Sequence, residues 1–349
     1  MLRESTYRGR RAVSIENQHL RLTVLPGGGH IAEVHDKAAG INPLWAPPWT
    51  SIEPSQFDPA RHRDYGGGVD ASLLAGIMGH NLCLDTFGAP SDEEARAGLP
   101  VHGEASVVDY DVDGGAAHLT MAARLPLAGL EVERRLELRD RAVWIRETVH
   151  NPGAVDRPIG WTQHVTLGPP FLDKGHTEFR ASVTRSRVYE SPFGSADYLR
   201  AGEDFEWPDA PSIEGGTADL RRYSALETSD AYTAHLADPS KEHAFFVAFS
   251  PAARLAFGYV WRRSDFPWLG IWEENLSRSH APWNSATLAR GMEFGVSPFP
   301  ESRRAMVERG RLFDTPTFRW IPAGSRVIVE YWCISAATGA IPEVLEWPV

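Results

Sequence analysis

A chain of 349 residues, 42% hydrophobic and 23% charged, can bury a large core, which excludes a disordered or low-complexity protein. Forty-six acidic against 35 basic residues give a formal charge of -11, and no Lys/Arg-rich run interrupts the excess. That argues against a nucleic-acid or anionic-membrane partner and for a small neutral ligand. The opening MLRESTYRGRRAV is basic with no apolar stretch behind it, and no run of 18 apolar residues occurs, so the expected location is the cytoplasm.

Short alternating segments separated by turn residues recur along the chain. LRLTVL (20–25) reads as a strand. Gly27-Gly28-Gly29 leads into HIAEV, another strand pattern, so these glycines do not open the helix that a phosphate cradle needs; Gly66-Gly67-Gly68 precedes no phosphate-loop lysine. Ser91-Asp92-Glu93-Glu94 is a capping-box pattern and predicts a short helix over DEEARAGL (92–99). Strands are predicted over 105–112, 118–125, 130–138 and 142–149, with turn residues at 113–115, 139–141 and 151–153. A Pro/Gly/acid-rich stretch, 191–219, predicts a long loop. Strands resume at 232–237, 244–250, 254–261, 316–322 and 326–335. No βαβ rhythm develops and both halves carry the same kind of strand. The expected fold is therefore all-β, one large antiparallel β-sandwich domain over 1–349.

Several kinds of chemistry drop out. His30, His35, His62, His80 and Cys83 show no HExxH or short paired spacing, so they read as solvated or core residues and no metal is expected. Cys83 and Cys333 form neither a CxxC nor a disulfide framework and read as buried thiols. No GxSxG elbow is present. Three titratable residues remain in distinctive settings: His102 in the loop GLPVHGEA ahead of the 105–112 segment, His164 in GWTQHVTLGPPFL, and Glu293 in RGMEFGVSPFPES. Taken singly, each reads as readily as a turn residue or an exposed strand position. Apolar neighbours such as Met292, Phe294 and Val296 would raise the pKa of the Glu293 carboxylate. FPWLGIWEENLSRSHAPWN (266–284) sets Trp268, Trp272 and Trp283 beside Glu273, Glu274 and Asn275. Such aromatics stack on a pyranose or fill core volume with equal ease.

In this order the stretches resemble the aldose 1-epimerase (galactose mutarotase-like) family. Its Leu-His-Gly element, which starts a strand, is matched by Pro100-Val101-His102-Gly103. Its Asn-His element is matched loosely by Gln163-His164-Val165-Thr166, and its Leu-Glu-Thr-Gln-x-Phe-Pro element by residues 292–300, with extra residues before Phe299-Pro300. Residues 25–34 look like its first hairpin, so the resemblance runs from about residue 14 to 335. It implies the galactose mutarotase-like supersandwich and interconversion of the anomers of a free sugar by acid-base ring opening. By this resemblance Glu293 is the base, His164 the acid on the other flank of the sugar, and His102 the group holding the ring-oxygen side. His80, Asn81, Gln163, Trp268, Trp272, Glu273 and Asn275 are then expected to bind substrate. No cofactor and no metal are implied. The implied partner is a small-molecule sugar, with no nucleic acid or membrane, and the chain is a monomer or homodimer.

The sequence also departs from the family. GIMGHNLCLDTFGAP (76–90) lacks the arginine of the family's Arg-x-x-Asn-Arg element, which leaves His80 and Asn81 for that place, and the family's sugar-binding aspartate has no match. Two other readings stay open. One is a non-catalytic carbohydrate-binding protein of the same fold; the other is an epimerase of a phosphorylated or acidic sugar, disfavoured because no basic cluster lies near the motifs.

Overall fold

The computed structural model describes residues 3–348. Two antiparallel sheets face each other across one apolar core. The larger, twelve-stranded sheet runs Arg3–Tyr7, Arg10–Glu16, Leu20–Leu25, His30–Asp36, His80–Asp85, Arg157–Leu167, Leu288–Gly295, Trp268–Asn275, Ser229–Ala237, Val183–Val188 and Asp204–Glu206, with Arg319–Ile321 added beside Arg157–Leu167. The eight-stranded sheet runs Glu178–Ala181, His243–Ser250, Leu255–Arg262, Arg326–Ala337, Ala142–His150, Leu130–Arg139, His118–Leu125 and Asp111–Gly114. Among the described residues no helix is long and apolar enough to cross a membrane.

The two sheets differ in how they alternate. In Leu130–Arg139 every second residue is buried, the mark of a strand with one face on the core and one toward water. The central strands of the larger sheet show no such alternation: Ser229–Ala237 and Trp268–Asn275 are buried throughout, because loops cover their outer face as the second sheet covers their inner one. A site under those loops is therefore reached from the outer face of the larger sheet.

The inner face holds a buried polar network instead of a continuous apolar layer. Arg134 Nε donates to Glu147 Oε1 at 2.7 Å, and Glu147 Oε2 accepts from Trp161 Nε1 at 2.9 Å and Gln163 Nε2 at 2.6 Å. Tyr331 Oη lies 2.8 Å from both Glu147 Oε1 and Gln163 Oε1, and His80 bridges Gln163 Oε1 (2.9 Å) and Tyr259 Oη (3.0 Å). An ion pair so deep is tolerable because its remaining hydrogen-bonding capacity is used.

Three predicted elements are corrected. The strand expected over 105–112 is a 3₁₀ turn, Glu104–Ser106, followed by a strand only at Asp111–Gly114. The alternation there is overridden by local bonds: Ser106 Oγ donates to Leu82 O at 2.7 Å and Glu104 Oε2 accepts from Ala128 N at 2.7 Å. The segment 316–322 divides between two partners, Thr315–Pro316 pairing with Arg311–Leu312 and Arg319–Ile321 with the Arg157–Leu167 strand. The expected loop 191–219 contains the short strands Asp204–Glu206, Asp209–Pro211 and Thr217–Asp219. The capping box is present, with Ser91 Oγ accepting from Glu94 N and Glu94 Oε2 from Ser91 N.

Candidate active site

At the centre of the larger sheet, register sets Asn81 opposite His164, His164 opposite Glu293, and Glu293 opposite Gly270. Residues directly opposite across a sheet share a face. One row thus carries an amide, an imidazole, a carboxylate and a bare Cα on the outer face.

The carboxylate is held by the absence of side chains around it. A Cβ on Gly291, two residues before Glu293 and on the same face, would lie 2.2 Å from Glu293 Oε1, so the carboxylate rests on backbone. A Cβ on Gly270 would lie 1.9 Å from the Tyr232 hydroxyl, which crosses that point on its way to Pro298 O at 3.1 Å.

His164 Nε2 stands 3.0 Å from Glu293 Oε1, the two side chains only 6% and 2% exposed. The approach is not aligned as an N–H···O bond, and Oε1 has no hydrogen-bond partner in the protein. The other nitrogen, Nδ1, lies 3.1 Å from the Thr166 hydroxyl, which leaves Nε2 facing the cleft. The His102 ring sits 4.8 Å from the His164 ring, and its Nδ1 lies 3.4 Å from Asn81 Nδ2; Asn81 also donates to Ser106 Oγ at 3.0 Å. His102 and Gly103 both have positive φ, +66° and +73°, and a Cβ on Gly103 would meet Leu84 O at 2.2 Å. Glycine is therefore required at 103, and the tight turn it permits aims His102 back at the sheet.

Burial pushes the Glu293 carboxyl well above the ordinary carboxylate range, and the same cause draws His164 down to about 4. Burial thus favours the uncharged form of each: the protonated carboxyl of Glu293 and the neutral imidazole of His164. Burial, then the neighbouring His164, also draws His102 down.

These residues line a cleft of about 120 Å³. Trp272 and Trp283 form one wall with Trp45, whose ring stacks on that of Trp283 at 6.3 Å and 16°. The helix Ala71–Gly76 supplies Leu73 and Leu74, and Asp70 at its N-cap. Arg278 closes the rim, its guanidinium 4.7 Å from the Trp283 ring centre and 3.2 Å from Glu274. Among the described residues no His/Cys/Asp/Glu group is arranged to hold a metal ion.

Of the residues expected from sequence, His102, His164, Glu293 and Trp272 line this cleft, and Asn81 lies beneath it, holding His102. Five others are corrected. His80 and Gln163 point to the inner face and belong to the Arg134–Glu147 network. Glu273 also faces inward, 3.4 Å from Arg290 and accepting from Ser229 Oγ at 2.8 Å; Asn275 Nδ2 is spent on Leu226 O and Ser229 Oγ. Trp268 shares the outer face but packs on Phe313 and donates to Pro316 O, away from the cleft. His164 and Glu293 stand side by side, not on opposite flanks as expected. Sequence reasoning passed over Asp70, Tyr232 and Arg278, which no motif marks; loops and a neighbouring strand bring them in.

Neither a protein-family model nor a curated protein sequence matches the chain. Solved structures do. A candidate aldose 1-epimerase from Klebsiella pneumoniae shares 13% identity over 95% of this chain and 80% of its own, with a TM-score of 0.64. One from Escherichia coli K12 shares 12% over 93% and 98%, at 0.63, and a galactose mutarotase-like protein from Clostridium acetobutylicum 13% over 97% and 99%, at 0.62. At such identities the likeness shows the fold alone: the chain has the galactose mutarotase-like sandwich.

Proposed function

We propose that the protein is an aldose 1-epimerase-like isomerase, a single domain over 1–349 acting on a free monosaccharide in the cytoplasm. The observation that carries this reading is the His164–Glu293 pair, 3.0 Å apart at the base of an aromatic cleft, with the carboxylate oxygen left unpartnered. Opening a pyranose takes the proton from the C1 hydroxyl and delivers one to the ring oxygen. Both oxygens are bonded to C1, so the groups that serve them must be neighbours. Ring opening adds a proton to one member of the pair and removes one from the other; after rotation about C1–C2, closure on the other face of C1 restores the start. The resemblance assigns Glu293 as base and His164 as acid, whereas burial favours the protonated form of Glu293 and the neutral form of His164. The cycle runs from either arrangement, since each half-reaction exchanges the roles.

Anomer exchange of dissolved aldoses, followed by polarimetry or exchange NMR, tests this. Wild type is expected to exceed the buffer rate and Glu293→Gln to lose most of the excess. The kcat/KM profile should fall near pH 4, where His164 takes up a proton, and again as pH rises through the raised pKa of Glu293. Sugar binding without catalysis, in wild type and variant alike, would leave the carbohydrate-binding reading in its place.

A further inference from the structure

The groups that could recognise hydroxyls are few in kind in this cleft. Among the described residues no asparagine, glutamine, lysine, serine or threonine lines it. Outside the His102–His164–Glu293 trio, its polar members are Asp70, Tyr232 and Arg278. The Tyr232 proton is already given to Pro298 O, and Arg278 sets its Nε 3.2 Å from the buried carboxylate of Glu274. Other donors in its lining are indole N–H groups, and those of Trp272 and Trp283 are buried and without a partner in the protein.

Against this stands an apolar side. Leu73, Leu74 and Ile77, at the helix Ala71–Gly76 and its C-cap, are exposed by only 3%, 4% and 7%, and Val101 by 9%. A hydroxyl placed there loses water and gains no partner; a methyl gains contact. Charge selects too. Arg278 is offset by Glu274 and faces the same cleft as Asp70, so no unopposed cation awaits a phosphate or carboxylate. The volume, about 120 Å³, is well under the roughly 300–1,000 Å³ of sites for drug-sized ligands, which leaves room for little beyond one sugar ring.

We infer, resting on the epimerase reading, that the substrate is a neutral monosaccharide with an apolar edge, of which a 6-deoxyhexose is the simplest form, seated with that edge on Leu73, Leu74 and Val101.

Exchange NMR on matched pairs tests it: galactose with 6-deoxygalactose, glucose with 6-deoxyglucose, and galacturonate as the anionic member. The deoxy sugar of at least one pair is expected to show a kcat/KM about 10–100-fold above its parent, with galacturonate lowest. Leu74→Asn should narrow that ratio. Val101→Thr, nearly isosteric, supplies the same readout should the first variant fold poorly. Preference for the parent hexoses or for galacturonate overturns the inference. If no sugar exchanges faster than in buffer, the epimerase reading fails, and saturation-transfer binding of the same pairs decides the substrate class separately. Tighter binding of the deoxy member upholds it; tighter binding of a parent or of galacturonate, or no binding at all, overturns it.

Discussion

Gln163 and His164 are neighbours in one strand, yet they belong to opposite kinds of buried polar system. On the inner face Gln163 joins Arg134, Glu147, His80 and Tyr331, and the Glu147 carboxylate accepts from arginine, indole and amide. On the outer face Glu293 is just as buried but has an oxygen with no donor, 3.0 Å from an imidazole that is not aligned to serve it. Burial is alike on the two faces; satisfaction is what differs. A satisfied carboxylate holds sheets together, whereas an unsatisfied one has bonding capacity left for a ligand.

Substitutions should separate the faces. The largest effect is expected on the outer one. Glu293→Gln and His164→Gln should each lower anomer exchange about 10²–10⁴-fold, with the double variant no worse than the poorer single, since the two act as a unit. Rates measured for all three would contradict the pairing if the losses multiplied. On the inner face, Glu147→Ala leaves the Arg134 charge buried and alone and should cost about 3–5 kcal/mol of stability, read from urea unfolding. Gly291→Ala comes next. Its methyl enters space occupied by the Glu293 carboxylate, so a loss of about 1–3 kcal/mol by overpacking should accompany reduced exchange.

The smallest effect is a pH dependence. The Glu293 pKa is raised by folding, so its contribution to stability is full below the unfolded value and is lost as pH rises through the folded one. The His164 pKa is lowered to about 4, so its contribution is present above its unfolded value and is lost as pH falls toward 4. The melting temperature of Glu293→Gln relative to wild type should therefore be higher at pH 8 than at pH 4.5. A difference that does not change with pH would place the Glu293 carboxyl in ordinary solvent.

His118–Leu125, Leu130–Arg139 and Ala142–His150 of the eight-stranded sheet were readable because water on one face imposes alternation; 118–125 matches His118–Leu125 residue for residue. The site strands His80–Asp85, Arg157–Leu167, Trp268–Asn275 and Leu288–Gly295 were not among the predicted strands, and their faces were no more readable. Arg157–Leu167 is buried on both sides from Ile159 onward, so nothing in GWTQHVTL tells which parity meets the second sheet, and Gln163, one position from His164, was expected in the wrong half. Glu273 and Asn275 failed for the same reason. His102, His164 and Glu293 were found because motif order carries information that alternation does not. Arg278 and Asp70 were missed because their placement depends on loops packing over the sheet, and nothing within a few residues of either announces that contact.

A last consequence follows from the bare backbone beneath Glu293. A carboxylate steered by hydrogen bonds would have to break them whenever it gained or lost a proton, and each turnover would disturb its own aim. Here steric confinement over Gly291 does the steering. The side chain can pass between acid and anion with no bond to remake, like a door hung on its frame and not on its latch.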